Sequence, residues 1–464
     1  MLPFVGPSYQ LATRKASAQR SVNMHLVPME TASKDQFIMD SVPGLALLVD
    51  AGAVIRGMFS AGSRSFIVAG ATLFELNANN TLTSRGTLLT ASGVVQIEYG
   101  LFQLVIVDGT NGYVLVLATN VFTTIATPGF YGSATVGFIG NYFTFIRPST
   151  QQFEISAIND ATIVNALDFA SAEQLPDNLV GQLTDHGEIW LFGELSTEIW
   201  AVTGEAAFPL SKRLGVSIEV GLAATASAKK LDSGVFWIGK DRNGTGIVYR
   251  NSGYQPLRIS SRAVEEALQA STDLSAAVAY VYQDGGLTFY CINAPGLKST
   301  WCYEVSTATW HERADVDALG QYIAHRATHF MQAFGNKLVG AANGKIYRVD
   351  KTLYQFAGDP IVRERTSPQE ATPTLMRQWF DHFMMDCTTG EAGQGINTFV
   401  ELSYSNDSGA RYSSPIQQSL GKVGERFSRL LWSRLGFSRD RIWRVRYSGN
   451  APFSILSAQS VVRK

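Results

Sequence analysis

The chain has 464 residues, 45% of them hydrophobic, with 42 glycines and only 17% charged side chains. That is enough for a large core and two or three domains, with fewer charges than the usual quarter. A net charge of −1 argues against a nucleic-acid binder acting through bulk charge. Three cysteines, Cys291, Cys302 and Cys387, argue against a disulfide framework and fit folding in a reducing compartment. No apolar run reaches the ~18 residues that a membrane span needs.

Residues 1–50 carry little periodicity and are punctuated by Pro3, Gly6, Pro7, Pro28, Pro43 and Gly44. They read as an extended arm, lying on a neighbouring subunit or supplying a strand that closes a ring. The basic residues near the N-terminus are not followed by an apolar segment, so no secretory signal is expected there.

From residue 51 to about 365 one unit recurs: two short β-rich runs around a turn. Its clearest copy is Glu188–Phe192 followed by Thr197–Val202, with Gly193 to Ser196 between them. Ile189 and Leu191 share one face and Trp190 and Phe192 the other. Both faces are apolar, so sheets are expected to cover the hairpin on both sides. One apolar residue per copy gives Phe66, Leu104, Phe143, Trp190, Phe236, Phe289 and Leu338, at intervals of 38, 39, 47, 46, 53 and 49 residues. Propeller blades run roughly 40–50 residues with four strands each. The fold class is therefore all-β, with a propeller of six or seven blades over 51–365. A large sandwich or a β-helix is the alternative. One helix is expected at Ser261–Ala270, where Ala263, Val264, Ala267 and Leu268 share a face.

Charge, Ser/Thr and proline between residues 350 and 375 read as a linker. Residues 366–464 then alternate in short strands without a further helix, as in a β-sandwich. From Gly421 to Lys464 there are ten Lys/Arg against Glu425 and Asp440, a local balance of +8 that leaves −9 on the rest. In the strand Arg441–Tyr447, Trp443, Val445 and Tyr447 are expected to face the core, with Arg444 and Arg446 on the other side. Arg429, Arg434, Arg439, Arg441, Arg444 and Arg446 are the candidates to meet a partner or the path of DNA; a solvated sheet face would look the same.

Nothing points to catalysis, a cofactor or a metal. His325 and His329 have ligand spacing, but the segment lacks the glutamate of a zinc-protease helix. Asp241 to Gly246 lacks the distal glutamate of a calcium loop and sits where a hairpin needs a turn. Asp108, Asp185, Glu188, Glu194 and Glu198 are available to a glycosidase, yet nothing in the sequence pairs them.

Four segments in order give the chain a family likeness: Ser21–Met24 with Ser41–Leu45, Ala172–Asp177 running into the hairpin ending at Gly204, Pro256–Pro295, and Leu430–Gly436 with the basic strands after it. In these the chain resembles the packaged-DNA stabilisation, or tail hub, proteins of P22-like short-tailed bacteriophages. The resemblance implies a non-enzymatic virion component, made in the host cytoplasm and assembled as a homo-oligomeric ring, expected to be a hexamer. It implies as partners the head-to-tail adaptor, the tailspike or tail fibre, the tail needle, and packaged DNA passing without sequence-specific contacts. No membrane partner is implied. A carbohydrate-binding or carbohydrate-cleaving propeller is the competing reading. Such a protein would offer aromatic platforms and converging carboxylates.

Overall fold

The computed structural model describes residues 4–29, 36–205, 208–371, 376–393, 398–426 and 429–463. Seven antiparallel sheets follow one another as blades. Blade 1 is Ile55–Ala61, Arg64–Ala69, Thr72–Leu76 and Leu82–Thr87; blade 2 spans Gln96 to Thr124, blade 3 Val136 to Ser171, and blade 4 Leu179 to Lys212. Blade 5 spans Gly221 to Arg258, its innermost edge split between Gly221–Leu222 and Lys229–Leu231. The helix Arg262–Gln269 follows, then blade 6, Val278 to Val316. Blade 7 is Ala327–Ala333, Asn336–Ala341 and Lys345–Asp350, and its fourth strand is Gly44–Asp50 from the N-terminal stretch. The first strand of each blade packs on the first strand of the next. Ala327–Ala333 returns to Ile55–Ala61, so the ring closes.

The hairpins expected from sequence are the two central strands of the blades. All seven marker residues, Phe66 to Leu338, are buried. Blade 4 shows why both of its faces are apolar. Ile189 and Leu191 pack toward Phe153 of blade 3, while Trp190 and Phe192 pack toward Trp237 of blade 5. The ring centroids of Phe192 and Trp237 lie 5.8 Å apart, a distance at which aromatic pairs add to simple burial.

The C-terminal residues form a two-sheet sandwich that draws strands from both ends of the chain. One sheet continues blade 6 outward from Thr309–Val316, through Ala18–Val22, Arg363–Thr366, Asp440–Tyr447 and Phe399–Ser405 to Ile416–Ser419. The other runs Met24–Pro28, Phe37–Ser41, Ile455–Arg463, Gln378–Cys387 and Leu430–Ser433. Met39, Phe383, Trp432, Trp443 and Tyr447 fill the space between them. In the N-terminal stretch 1–50, the described residues thus form strands in three sheets: Ala18–Val22 and Met24–Pro28 in the two sandwich sheets and Gly44–Asp50 in blade 7.

The chain changes sheets at Asn23, whose φ of 55° lies in the left-handed region that asparagine tolerates. Its side chain donates to Ala314 O (2.8 Å) and Val362 O (2.9 Å) and accepts from Ala314 N (3.0 Å). Beside it, half-buried Arg20 and buried Glu312 form an ion pair at 2.7 Å, and Glu312 also accepts from Ser8 and Ser299.

The segment read as a linker differs from that expectation. Arg363–Thr366 is a central strand with all four residues buried. Its charges are satisfied by distant backbone. Arg365 donates to Phe4 O (2.6 Å) and Pro7 O (2.8 Å), and Arg363 to Gly449 O (3.1 Å). A charged run is read locally as solvated, and only these long-range acceptors make its burial tolerable. The Thr372–Pro373 part of that segment lies outside the described residues.

Candidate interaction surface

The six C-terminal arginines fall into three environments. Arg441 is 1% exposed. Its guanidinium lies 4.2 Å from the ring centroids of both Phe380 and Tyr404, and it donates to Leu435 O (2.6 Å) and Asn406 Oδ1 (3.0 Å). Burial pulls its pKa down to about 10. It is a core cation satisfied by neutral acceptors and π faces, out of reach of a partner.

Arg444 and Arg446 leave the face opposite Trp443, Val445 and Tyr447, as the alternation predicts, but that face is half-covered. Arg444 stacks on Tyr412 at 3.8 Å and donates to Ser403. Arg446 pairs with Glu364 of the neighbouring strand at 3.4 Å and sits 5.9 Å from the ring of Tyr322, next to blade 6. Arg444 thus braces the sandwich internally, and Arg446 ties it to the edge of blade 6.

Arg429, Arg434 and Arg439 are exposed, and none has an ion-pair partner among the described residues. They stand at five-residue intervals along one edge of the second sheet. Arg429 precedes Leu430, which pairs with Met385; Arg434 N donates to Asp381 O; Arg439 follows Ser438, which pairs with Gln378. Within this row lies an apolar surface that sequence reasoning missed. Trp379 is 58% exposed and Phe437 45%, their centroids 5.0 Å apart, with Arg377 over Phe437 at 5.2 Å and exposed Leu431 beyond. Alternation in Gln378–Cys387 misleads here: stepping back by twos from Met385 and Phe383 would put Trp379 inside, but a register shift between Phe380 and His382 reverses the faces, burying Phe380 and leaving Trp379 outside. Exposed aromatics beside unpaired guanidinium groups are the composition of an interface core and its rim.

The residues weighed for chemistry are dispersed and occupied. Glu188 pairs with Arg213 and Tyr254, Glu194 with Lys240, and Glu198 with Lys212 and Trp200. Asp185 pairs with Lys230, while Asp108 accepts from Thr90 and Tyr113 in blade 2. His329 lies in the strand Ala327–Ala333 and His325 just before it, so their spacing does not place them on a helix. Among the described residues no group of three or more potential ligands could hold a metal ion. Asp241 closes the turn between Gly234–Asp241 and Gly244–Ser252 by accepting from Asn243 N and Gly244 N.

Comparison with known proteins supplies the family. No curated protein matches the chain. Solved structures that resemble it include the computationally designed Ika8 protein (TM-score 0.39, 13% identity, covering 72% of this chain and 100% of that one) and the N-terminal domain of Nup159 (0.41, 9%, 72% and 99%). The extracellular domain of a putative one-component system from B. thetaiotaomicron scores 0.45 at 10% identity, covering 84% of this chain and 47% of that one. The family models are decisive: one described as bacteriophage P22 Gp10, beta-propeller, matches residues 9–354, and one described as bacteriophage P22 Gp10, beta-sandwich, matches 373–463. With both domains matched in order over nearly its whole length, the chain belongs to the bacteriophage P22 Gp10 family and is a structural protein of the phage tail.

Proposed function

We propose that this protein is the hub of a short phage tail: a homo-oligomeric ring, expected to be a hexamer, seated below the head-to-tail adaptor. In this reading the ring continues the DNA channel, helps to retain packaged DNA, docks tailspikes or fibres and the tail needle, and carries no enzymatic activity. Residues 51–365 form the ring body, 366–464 the docking sandwich, and 1–50 stitches them together. The observation that carries the reading is the single sheet running from blade 6 through Ala18–Val22 and Arg363–Thr366 into the sandwich. A propeller and sandwich joined by one sheet move as one body. Such a body transmits load between a bore and its attachments better than two domains on a tether.

Arg429, Arg434 and Arg439, with Trp379 and Phe437, are the proposed contact residues for a protein partner. A near-neutral chain also suits a DNA conduit, because many phosphate contacts would hold DNA back during ejection. The glycan reading draws no support from the acids above, each engaged by a side chain of its own blade or of a neighbouring segment.

The test is light scattering and negative-stain imaging of the purified protein, alone and with the adaptor. A defined ring that binds the adaptor is expected. A monomer that ignores the adaptor and captures a glycan on an array would overturn the proposal. Reversing Arg429, Arg434 and Arg439 to Glu together is expected to abolish one partner's binding while the ring persists.

A further inference from the structure

Arg313 in blade 6 is 5% exposed and has no carboxylate partner among the described residues. The two acids nearest in its strand are engaged elsewhere: Glu312 with Arg20 at 2.7 Å and Asp315 with Arg326 at 2.9 Å. Arg313 Nε donates to His311 Nε2 at 3.3 Å, and the guanidinium lies 5.1 Å from the ring of Tyr282 and 4.9 Å from that of Phe289. Its Nη2 has no hydrogen-bond partner among the described residues. The hydroxyls of Tyr280 and Tyr282, also buried, lie beside the Cys291 thiol and the Arg313 guanidinium respectively but form no well-aligned hydrogen bond with them.

These groups meet at one place. Arg313, Tyr280 and Tyr282 line a cavity of about 20 Å³ between blades 6 and 7, walled by Leu45, Val339 and Phe356. His325, on the same wall, accepts from Ala327 N through Nδ1, so its neutral ring keeps a donor at Nε2.

Arginine cannot shed its proton inside a protein. Buried Arg365 and Arg441 have carbonyl acceptors, whereas Arg313 has the His311 ring nitrogen and two ring faces and, among the described residues, no oxygen acceptor, so its charge calls for a further partner. Buried hydroxyls without partners call for an acceptor as well. A volume of roughly 10–15 Å³ already admits one water-sized particle, whereas a tetrahedral oxyanion does not fit. We propose that this inter-blade cavity binds a small monovalent anion of halide size, held by Arg313 Nη2 and the hydroxyls of Tyr280 and Tyr282. The ion would be held by blade 6 against the apolar wall of blade 7, next to the strand Gly44–Asp50 that closes the ring.

Two other occupants are outcomes of the test. Water would satisfy the hydroxyls but not the charge. A thiolate at Cys291, which faces Cys302 across the strands of blade 6 and packs in the same core cluster, would supply the charge from within.

The experiment follows thermal unfolding of the full chain as sodium gluconate is replaced by sodium bromide at constant ionic strength. A crystal grown in bromide is examined for anomalous scattering. The midpoint is expected to rise with the logarithm of bromide concentration, with a bromide peak in the cavity. In the Tyr280→Phe/Tyr282→Phe double variant, which removes two of the three groups offered to the ion, apparent halide affinity is expected to fall at least tenfold. Cys291→Ser is expected to leave the bromide effect unchanged. A midpoint indifferent to bromide, a crystal peak without any solution effect, a halide effect that survives the double tyrosine variant, or one that disappears in Cys291→Ser would each overturn the proposal.

Discussion

Replacing Asn23 tests the joint between propeller and sandwich. Asn23→Ala forces a Cβ-bearing residue without a polar side chain into a φ of 55°, which costs about 1 kcal/mol. It also removes three side-chain hydrogen bonds to the backbone of Ala314 and Val362. Ala314 is 2% exposed, so its N–H cannot turn to solvent, and a buried group left unsatisfied costs about 1–3 kcal/mol. The expected loss is about 4 kcal/mol. Asn23→Gly accepts the backbone conformation but still loses the bonds, so about 3 kcal/mol is expected. Asn23→Asp keeps an acceptor, loses both donated bonds and buries a charge, and should match alanine or exceed it. Urea unfolding followed by circular dichroism gives the ordering. Hydrogen exchange should show Ala18–Val22 and Arg363–Thr366 losing protection together. A loss below 1 kcal/mol for Asn23→Ala, or glycine costing as much as alanine, would refute the reasoning.

Three further outcomes are expected. Gly44 opens the strand that closes blade 7, and a Cβ there would meet the Leu353 backbone and lie 2.7 Å from its Cβ; Gly44→Ala is expected to cost about 1–3 kcal/mol by overpacking, measured by denaturant unfolding. Arg441→Ala should cost about 3 kcal/mol through lost hydrogen bonds and ring packing, whereas alanine at Arg429, Arg434 or Arg439 should stay within about 0.5 kcal/mol; equal effects at all four positions would contradict the burial. Desolvation lowers the pKa of buried His25 to about 3 and of His325 to about 4, with Arg313 adding to the effect at His25. Both are therefore neutral in the folded state and titrate near 6.5 when unfolded. Stability should be full above pH 7 and fall as pH drops through 6.5 toward 4, by about 1.4 kcal/mol per unit for each histidine. His325→Gln should remove one proton from that slope, and a flat profile from pH 7 to 5 would count against it.

What the sequence determined by itself was the blade repeat, because the two central strands of a blade are covered on both faces and must be apolar all along. Runs such as Ile189–Phe192 and Val235–Ile238 announce themselves without a partner in view. The edge strands are less legible: Leu82–Thr87 and Val121–Thr124 carry polar and exposed residues that local patterning reads as loop. The inward set Trp443, Val445 and Tyr447 was legible for the same reason of alternation, and so was the helix Arg262–Gln269, from its spacing. Tertiary structure alone decided how the N-terminal stretch is used. Gly44–Asp50 pairs with Lys345–Asp350 some three hundred residues away, and no local signal encodes a partner at that distance. It also decided the fate of the arginines. Arg365 and Arg441 look like surface charges until carbonyls and rings enclose them, while Arg429, Arg434 and Arg439, alike in sequence, find no such acceptors among the described residues and stay exposed. Whether a cation is structural or available depends on what the fold brings to its tip.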